Sequence, residues 1–295
     1  MSYFQAIVIG LLQGVTELFP VSSLGHSVIV PALFGWHSIV NAQSKSESFY
    51  LAFLVGLHVA TALALLWYFR ADWARIIAGF FRSLGRRRVE TKDERLAWLL
   101  VTATIPAGIA GLLLEHSLRV LLATPVAASS LLAVNGVVLA VGERARRRQE
   151  VRALAVAHGV NEEGARRLDT LEFRESGVIG GAQVFALMAG ISRSGITMVA
   201  GLLRGLDHED AARFSFLLAT PIILAAGIYK LPDLLGSNGD HIRGQVLVGS
   251  LFAAAAAYLA VRFLMRFFET QTLKPFAVYC LVVGITTAIY FGLTW

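Results

Sequence analysis

QGVTELFPVSSLGH, residues 13–26, sets a carboxylate, a proline, two serines and a histidine inside a stretch that is otherwise apolar. Gln13 and Glu17 stand at i and i+4, so a helix carries both on one face. Pro20 follows three residues later and ends or kinks that helix. Ser22 and Ser23 are natural N-caps for a second half-helix, whose second turn holds His26. Glu17 is the only acidic residue among the first 46. Hydrocarbon gives a charge no solvation, so an ionisable group at this place marks a functional site by default. The plainer readings are that the serines only cap, and that Glu17 and His26 form a polar pair holding two half-helices together.

The pattern returns as AGISRSGIT, residues 189–197. A constant offset of 170 aligns Gln13 with Gln183, Val21-Ser22-Ser23-Leu24-Gly25 with Ile191-Ser192-Arg193-Ser194-Gly195, and Gly35 with Gly205. The chain reads as an internal repeat. The apolar regions 2–36 and 177–206 are each broken near the middle, at Pro20 and Gly190. Six continuous apolar runs accompany them, at 49–69, 96–114, 120–142, 214–235, 244–268 and 275–294, each about long enough to cross a ~30 Å hydrocarbon core as a helix. Each copy is therefore a broken hairpin followed by three spans. Three is odd, so the second copy enters the membrane from the opposite face. The expected fold is an all-α polytopic membrane protein of two inverted-topology repeats, each a re-entrant broken hairpin followed by three transmembrane helices. It forms one membrane domain, 1–295, with repeat one at 1–142, a cytoplasmic basic linker at 143–172 and repeat two at 173–295. Irregular backbone at membrane depth survives only where it lines a cavity, so the site belongs where the two breaks meet.

Composition agrees. Of 295 residues, 56% are hydrophobic and 16% charged, against roughly 45–50% and about 25% in soluble domains; the mean hydropathy is +0.65. A soluble globular domain and a disordered chain are excluded, and continuous Leu, Ala and Val runs argue against the ~10-residue alternation of an outer-membrane barrel. No basic n-region precedes the first apolar stretch and no small-residue site closes it, so no removable signal peptide is expected. The one cysteine, Cys280, can make no internal disulfide. The pI of 9.8 comes from two blocks: eight Lys and Arg lie between Arg70 and Arg95, and eight more between Arg144 and Arg174. Both abut apolar runs and lack interleaved aromatics at a stacking spacing, so they report a cytoplasmic side rather than nucleic-acid binding. The turns left outside, near 37–48, 115–119 and 236–243, hold few basic residues.

The second break surrounds Arg193 with Ser192, Ser194, Gly195 and Thr197 at the start of a half-helix. Backbone N–H groups, hydroxyls and a planar guanidinium aimed at one point suit an oxyanion or phosphate. An arginine that merely pairs with Glu17 is the alternative, and both readings bring the two together. Elsewhere, His58 in the first span either faces the site or packs, and packing is the preferred reading. Asp207-His208-Glu209-Asp210 is read as a solvated, capped helix start, and Lys230 with Asp233 as a snorkelling pair. No P-loop signature or CxxC pair occurs.

QGVTELFPVSSLGH and AGISRSGIT, followed by ARFSFLLATP at 212–221, resemble the undecaprenyl-diphosphatase family of bacterial inner membranes over nearly the whole chain. The resemblance implies a hydrolase that removes a phosphate from the polyprenyl diphosphate carrier of cell-wall synthesis, with bacitracin competing for the lipid. It implies functional roles for Glu17, Ser22, Ser23, His26, Ser192, Arg193, Ser194 and Thr197, with Gln13 in an allowed alternative. It also implies a divalent cation, Mg²⁺ or Ca²⁺, with Glu17 as its ligand, membrane lipids as neighbours, room for a homodimer, and a site facing the periplasm. Departures are Ala189 for the usual proline, Tyr50 and Val55 where the family has an acidic residue and a glutamine, and a neutral Gln13. The expected chemistry is diphosphate hydrolysis with Arg193 and Gly195 at the phosphate, Glu17 holding the metal or orienting a water, and His26, Ser23 or water as nucleophile. A lipid or solute transporter is the rival from another class, and a protein that has lost activity through the departures is a third reading.

Overall fold

The computed structural model describes residues 1–43, 49–122, 124–156, 167–236 and 241–294, which are helical apart from short turns. In chain order the helices are α1 (Tyr3–Thr16), α2 (Ser23–Leu33), α3 (His37–Gln43), α4 (Phe49–Tyr68), α5 (Arg70–Arg86), α6 (Lys92–Leu122), α7 (Pro125–Val156), α8 (Phe173–Ala182), α9 (Arg193–Leu203), α10 (His208–Leu235), α11 (Arg243–Phe267) and α12 (Lys274–Thr294). Six of them, α4, α6, α7, α10, α11 and α12, are long and apolar enough to cross a membrane, and they fall on the six runs read from the sequence. The chain is a polytopic membrane protein.

Several boundaries differ from expectation. The outer turn placed at 115–119 lies within α6, which continues to Leu122, and α7 starts at Pro125. Pro is favoured in the first helical turn because its missing N–H has no partner there anyway. The stretch expected as a linker from 143 begins as the last turns of α7, which runs on to Val156; apolarity ends before helicity does. The basic block after Arg70 is the amphipathic helix α5, which leaves Ile77, Phe81 and Leu84 exposed. Asp72 anchors it by accepting from Arg75 and, at 2.7 Å, from Arg213 of α10. Of the pair expected at Lys230 and Asp233, the Asp233 side chain lies outside the described residues, and Lys230 sits over the Tyr229 ring.

Small residues bring the helices close. Where helices meet in lipid there is little hydrophobic drive between them, so close van der Waals approach carries the packing. Gly10 and Gly14, one turn apart on α1, face Gly249 and Ala253 of α11. A Cβ on Gly14 would lie 2.3 Å from the Ala253 carbonyl oxygen. On the other side of the molecule Gly180 of α8 abuts Ala103 of α6, where a Cβ would lie 2.2 Å from the carbonyl oxygen. Each short hairpin arm is thus backed by a long helix.

The two broken regions share local geometry. Gly35 and Gly205, 170 apart, end α2 and α9 with φ of 65° and 90°. The following residue in each case donates back five positions, Trp36 to Pro31 at 2.9 Å and Leu206 to Gly201 at 3.2 Å. This is the left-handed C-terminal stop that glycine permits.

Candidate active site

The first break, residues 17–22, carries the chain from α1 to α2; the second, 188–192, leads into α9. Ser22 and Ser192 cap the two half-helices alike, each side chain accepting from the N–H three residues on: Gly25 at 3.2 Å and Gly195 at 3.1 Å. The breaks are also stitched to each other. Gly190 N–H donates to the Ser22 hydroxyl at 3.1 Å, and the Ser194 hydroxyl donates to the Phe19 carbonyl at 3.2 Å. Asn135, fully buried on α7, bridges them from the side. Its Nδ2 donates to the Pro20 carbonyl at 2.9 Å, and its Oδ1 accepts from Ser192 N–H at 3.0 Å. Backbone that leaves the helix ladder inside apolar surroundings must find such partners. Gly190 has φ +116°, and a Cβ there would sit 2.5 Å from the Ala128 carbonyl oxygen, so only glycine fits. Ser22 holds φ 70° without that freedom. Strain of this kind gathers where surrounding structure over-determines a functional site.

At the junction lies Glu17, with its side chain 5% exposed. Its Oε1 accepts from Arg193 Nη2 at 2.7 Å. Its Oε2 accepts from Ser23 Oγ at 2.5 Å and from Gln13 Nε2 at 3.0 Å, and His58 Nε2 stands 3.4 Å away. Arg193 Nη1 is buried without a hydrogen-bond partner. A guanidinium donor left without a partner is what an incoming anion would take up. Thr197 donates to the Arg193 carbonyl at 2.6 Å, one turn inside α9.

Sequence reasoning placed Gln13, Glu17, Ser23 and Arg193 together, and they meet. Ser22, Ser192, Ser194 and Gly195 are at the junction too, where they hold backbone to backbone. His26 is buried close by on α2, but its ring turns elsewhere: Nδ1 lies 2.7 Å from the Ser22 carbonyl and Nε2 2.8 Å from the Tyr279 hydroxyl. A carbonyl only accepts, so the neutral ring has its proton on Nδ1 and takes the phenol proton at Nε2. The Glu17–His26 pair that was the plainer reading does not form. His58 corrects its reading as a packing residue: α4 delivers it to Glu17, with its Nδ1 2.7 Å from the Leu54 carbonyl. Asn135 and Tyr279 went unread. A lone amide within an apolar run was the available signal for the first; Tyr279, an aromatic in an apolar helix, gave none.

The solvated reading of Asp207–Asp210 also needs correction. Asp207 does cap α10, accepting from Asp210 N–H at 2.6 Å. His208 and Asp210, however, are buried. His208 Nε2 lies 2.9 Å from Glu143 Oε2 and Nδ1 meets Arg146, while Asp210 accepts from Leu168 N–H at 2.7 Å. Tertiary packing of α7 and α10 withdraws two side chains that the local sequence exposes.

As for a metal, no group of three His, Cys, Asp or Glu suited to an ion occurs among the described residues. Every neighbour of Glu17 presents a donor to its oxygens, the reverse of what a cation needs. The residues present do not fit an ion held by protein alone.

The family described as bacitracin resistance protein BacA matches residues 6–286. Undecaprenyl-diphosphatase 2 of Frankia alni is 55% identical over 339 residues, covering 99% of each chain. The undecaprenyl-diphosphatase of Mycolicibacterium paratuberculosis is 57% identical over 302 residues, with 99% of this chain and 98% of that one covered. Undecaprenyl-diphosphatase 2 of Burkholderia ambifaria is 48% identical over 290 residues, with 97% and 95% covered. The match takes in both breaks, five of the six long helices whole and α12 as far as residue 286, and the chain belongs to the BacA family of bacitracin resistance proteins.

Proposed function

We propose that this chain is a membrane phosphatase that removes the terminal phosphate of undecaprenyl diphosphate, returning the monophosphate carrier to cell-wall synthesis. The kinship carries the substrate, and one observation carries the chemistry: Ser23, Glu17 and Arg193 form a continuous hydrogen-bonded line across two chain breaks. Arg193, whose Nη1 lacks a partner, grips the terminal phosphate. Ser23 Oγ attacks its phosphorus while the hydroxyl proton passes to Glu17 Oε2, and the bridging P–O bond breaks to release the lipid monophosphate. Glu17 gives that proton to the departing monophosphate; water then attacks the phosphoserine, Glu17 takes the proton from the water and delivers it to Ser23 Oγ as the P–O bond breaks, and inorganic phosphate leaves. Of the three nucleophiles open to the sequence, this favours serine, because the His26 Nε2 lone pair is engaged by Tyr279. Charge neutralisation and alignment dominate phosphoryl transfer, which is what a fixed guanidinium supplies. A divalent cation, when bound, would neutralise phosphate charge and would have to enter with the diphosphate oxygens.

The broken hairpins are re-entrant in this reading and the two halves are inverted repeats, 1–142 and 173–295, flanking a basic cytoplasmic segment. The matched caps at Ser22 and Ser192 and stops at Gly35 and Gly205 support it. In this reading the basic blocks keep α5 in the bacterial cytoplasm, and the family resemblance, not the symmetry of the halves, favours a site that opens to the outer half of the inner membrane, where bacitracin competes for the lipid. A carrier that moves lipid without chemistry, the rival for paired breaks, is not favoured by the kinship. Purified protein given farnesyl diphosphate separates them. Phosphate release is expected, with a loss of at least about hundredfold in Arg193→Ala and Ser23→Ala. Lipid movement without phosphate release in any divalent ion would overturn the hydrolase.

A further inference from the structure

The hydrolase reading uses Arg193, Ser23 and Glu17, and leaves His58 aside although its ring meets the same carboxylate. Glu17 divides its two oxygens: Oε1 belongs to Arg193, while Oε2 serves Ser23, Gln13 and His58. Arg193 has a second duty at the substrate phosphate. A phosphate drawing on the guanidinium weakens the bond that fixes Oε1, just when Oε2 must stay beside the Ser23 hydroxyl. His58 comes from a different helix than either break, and its own ring is fixed by Nδ1 at 2.7 Å from the Leu54 carbonyl. Its side chain is 22% exposed, compared with 16% for Arg193 and 5% for Glu17, so the two bases flank a carboxylate that lies beneath them.

Resting on that reading, we infer that His58 is a positioning residue, holding Glu17 Oε2 at the Ser23 hydroxyl from α4 while Arg193 is occupied with phosphate. With Nδ1–H given to the Leu54 carbonyl, the ring serves as the imidazolium, a donor at both nitrogens; the function requires an N–H donor at the place of Nε2. Glutamine can reach it with its amide; leucine fills similar space and offers nothing. Displacement of a reacting group by about 1 Å can cost on the order of a hundredfold in rate.

The test compares parent, His58→Gln and His58→Leu, purified in detergent, in phosphate release from farnesyl diphosphate over a range of concentrations. Thermal unfolding reports the folded fraction, and binding of the non-hydrolysable methylenediphosphonate analogue of the lipid is measured alongside. For His58→Leu the expected result is a kcat about 10- to 100-fold lower, with KM and analogue binding within threefold of the parent; for His58→Gln, kcat within about threefold. The inference is overturned by a leucine variant whose kcat matches the parent, by a loss that resides in KM and analogue binding, or by equal losses in both variants. A parent that binds the analogue yet releases no phosphate defeats the hydrolase reading instead. In that case leucine and glutamine variants that bind the analogue differently from each other also overturn the positioning role, since positioning of Glu17 leaves ground-state binding unchanged.

Discussion

Asn135→Leu is the substitution that bears hardest on the junction of the two breaks. Leucine matches asparagine in heavy-atom count and branching with bulkier tips, so the change deletes both hydrogen bonds to backbone, and the weak one to Cys280 Sγ, without opening a cavity. What it strands is backbone: the Pro20 carbonyl and the Ser192 N–H, bonded to Asn135 at 2.9 and 3.0 Å in a position with no solvent access. A buried polar group left unsatisfied costs about 1–3 kcal/mol, giving roughly 2–6 kcal/mol for the pair if neither finds another partner. Within a membrane the unfolded reference also retains partners, and interhelical hydrogen bonds average nearer 0.6 kcal/mol. Two such bonds set a floor of about 1 kcal/mol. The expected loss is therefore about 1–4 kcal/mol, a fall of several degrees in the unfolding midpoint at roughly 2 °C per kcal/mol. Activity should suffer more. The direct stitches from Gly190 to Ser22 and from Ser194 to Phe19 remain, but without the shared clamp the breaks shift against each other, and Arg193 and Ser23 sit on opposite sides of the gap. Phosphate release per folded molecule should drop by on the order of a hundredfold. Intrinsic tryptophan fluorescence follows the melt, and inorganic phosphate follows the activity. A variant with the parent's midpoint and turnover within twofold would refute the claim that Asn135 joins the halves of the site.

Two further outcomes probe regions away from the chemistry. His208→Leu removes the 2.9 Å donor of the buried Glu143 carboxylate and leaves it the Leu273 N–H at 3.4 Å, a loss of about 1–3 kcal/mol, or more for a charged acceptor. Melting should fall steeply while kcat/KM of the surviving folded protein stays within about twofold; a parallel loss of turnover at unchanged stability would mean the cluster belongs to the active site after all. Leu84→Cys tests orientation, since Leu84 is exposed on α5 and the native Cys280 is buried. A membrane-impermeant maleimide should label it in opened but not in intact cells, and labelling of intact cells would invert the assigned topology.

The hydrogen bonds of the junction explain why some of the site was legible and some was not. Glu17 stood out because an acid within an apolar stretch has few structural excuses, and Gln13 followed from its i−4 spacing. Arg193 was found by the offset of 170, which paired two breaks that neither composition nor hydropathy links. His58 and Asn135 carried the same intramembrane signal. His58 was read as packing because helical periodicity tells which residues share a face, but not which neighbour that face will meet. His26 shows the converse: the motif promised an imidazole at the carboxylate, and Tyr279, 253 residues away, claims its Nε2.

Apolar length, charge asymmetry and helix-breaking residues act through the local solvent, lipid or water, so they fixed the six crossings, the basic side and the position of both breaks without reference to any other part of the chain. Which helix backs each broken arm, which distant donors complete Glu17, and which acids are withdrawn from water depend on close approach between segments from about 40 to about 240 residues apart. That information resides in complementary surfaces, glycine against glycine and amide against stranded backbone, and it exists only once the chain has folded.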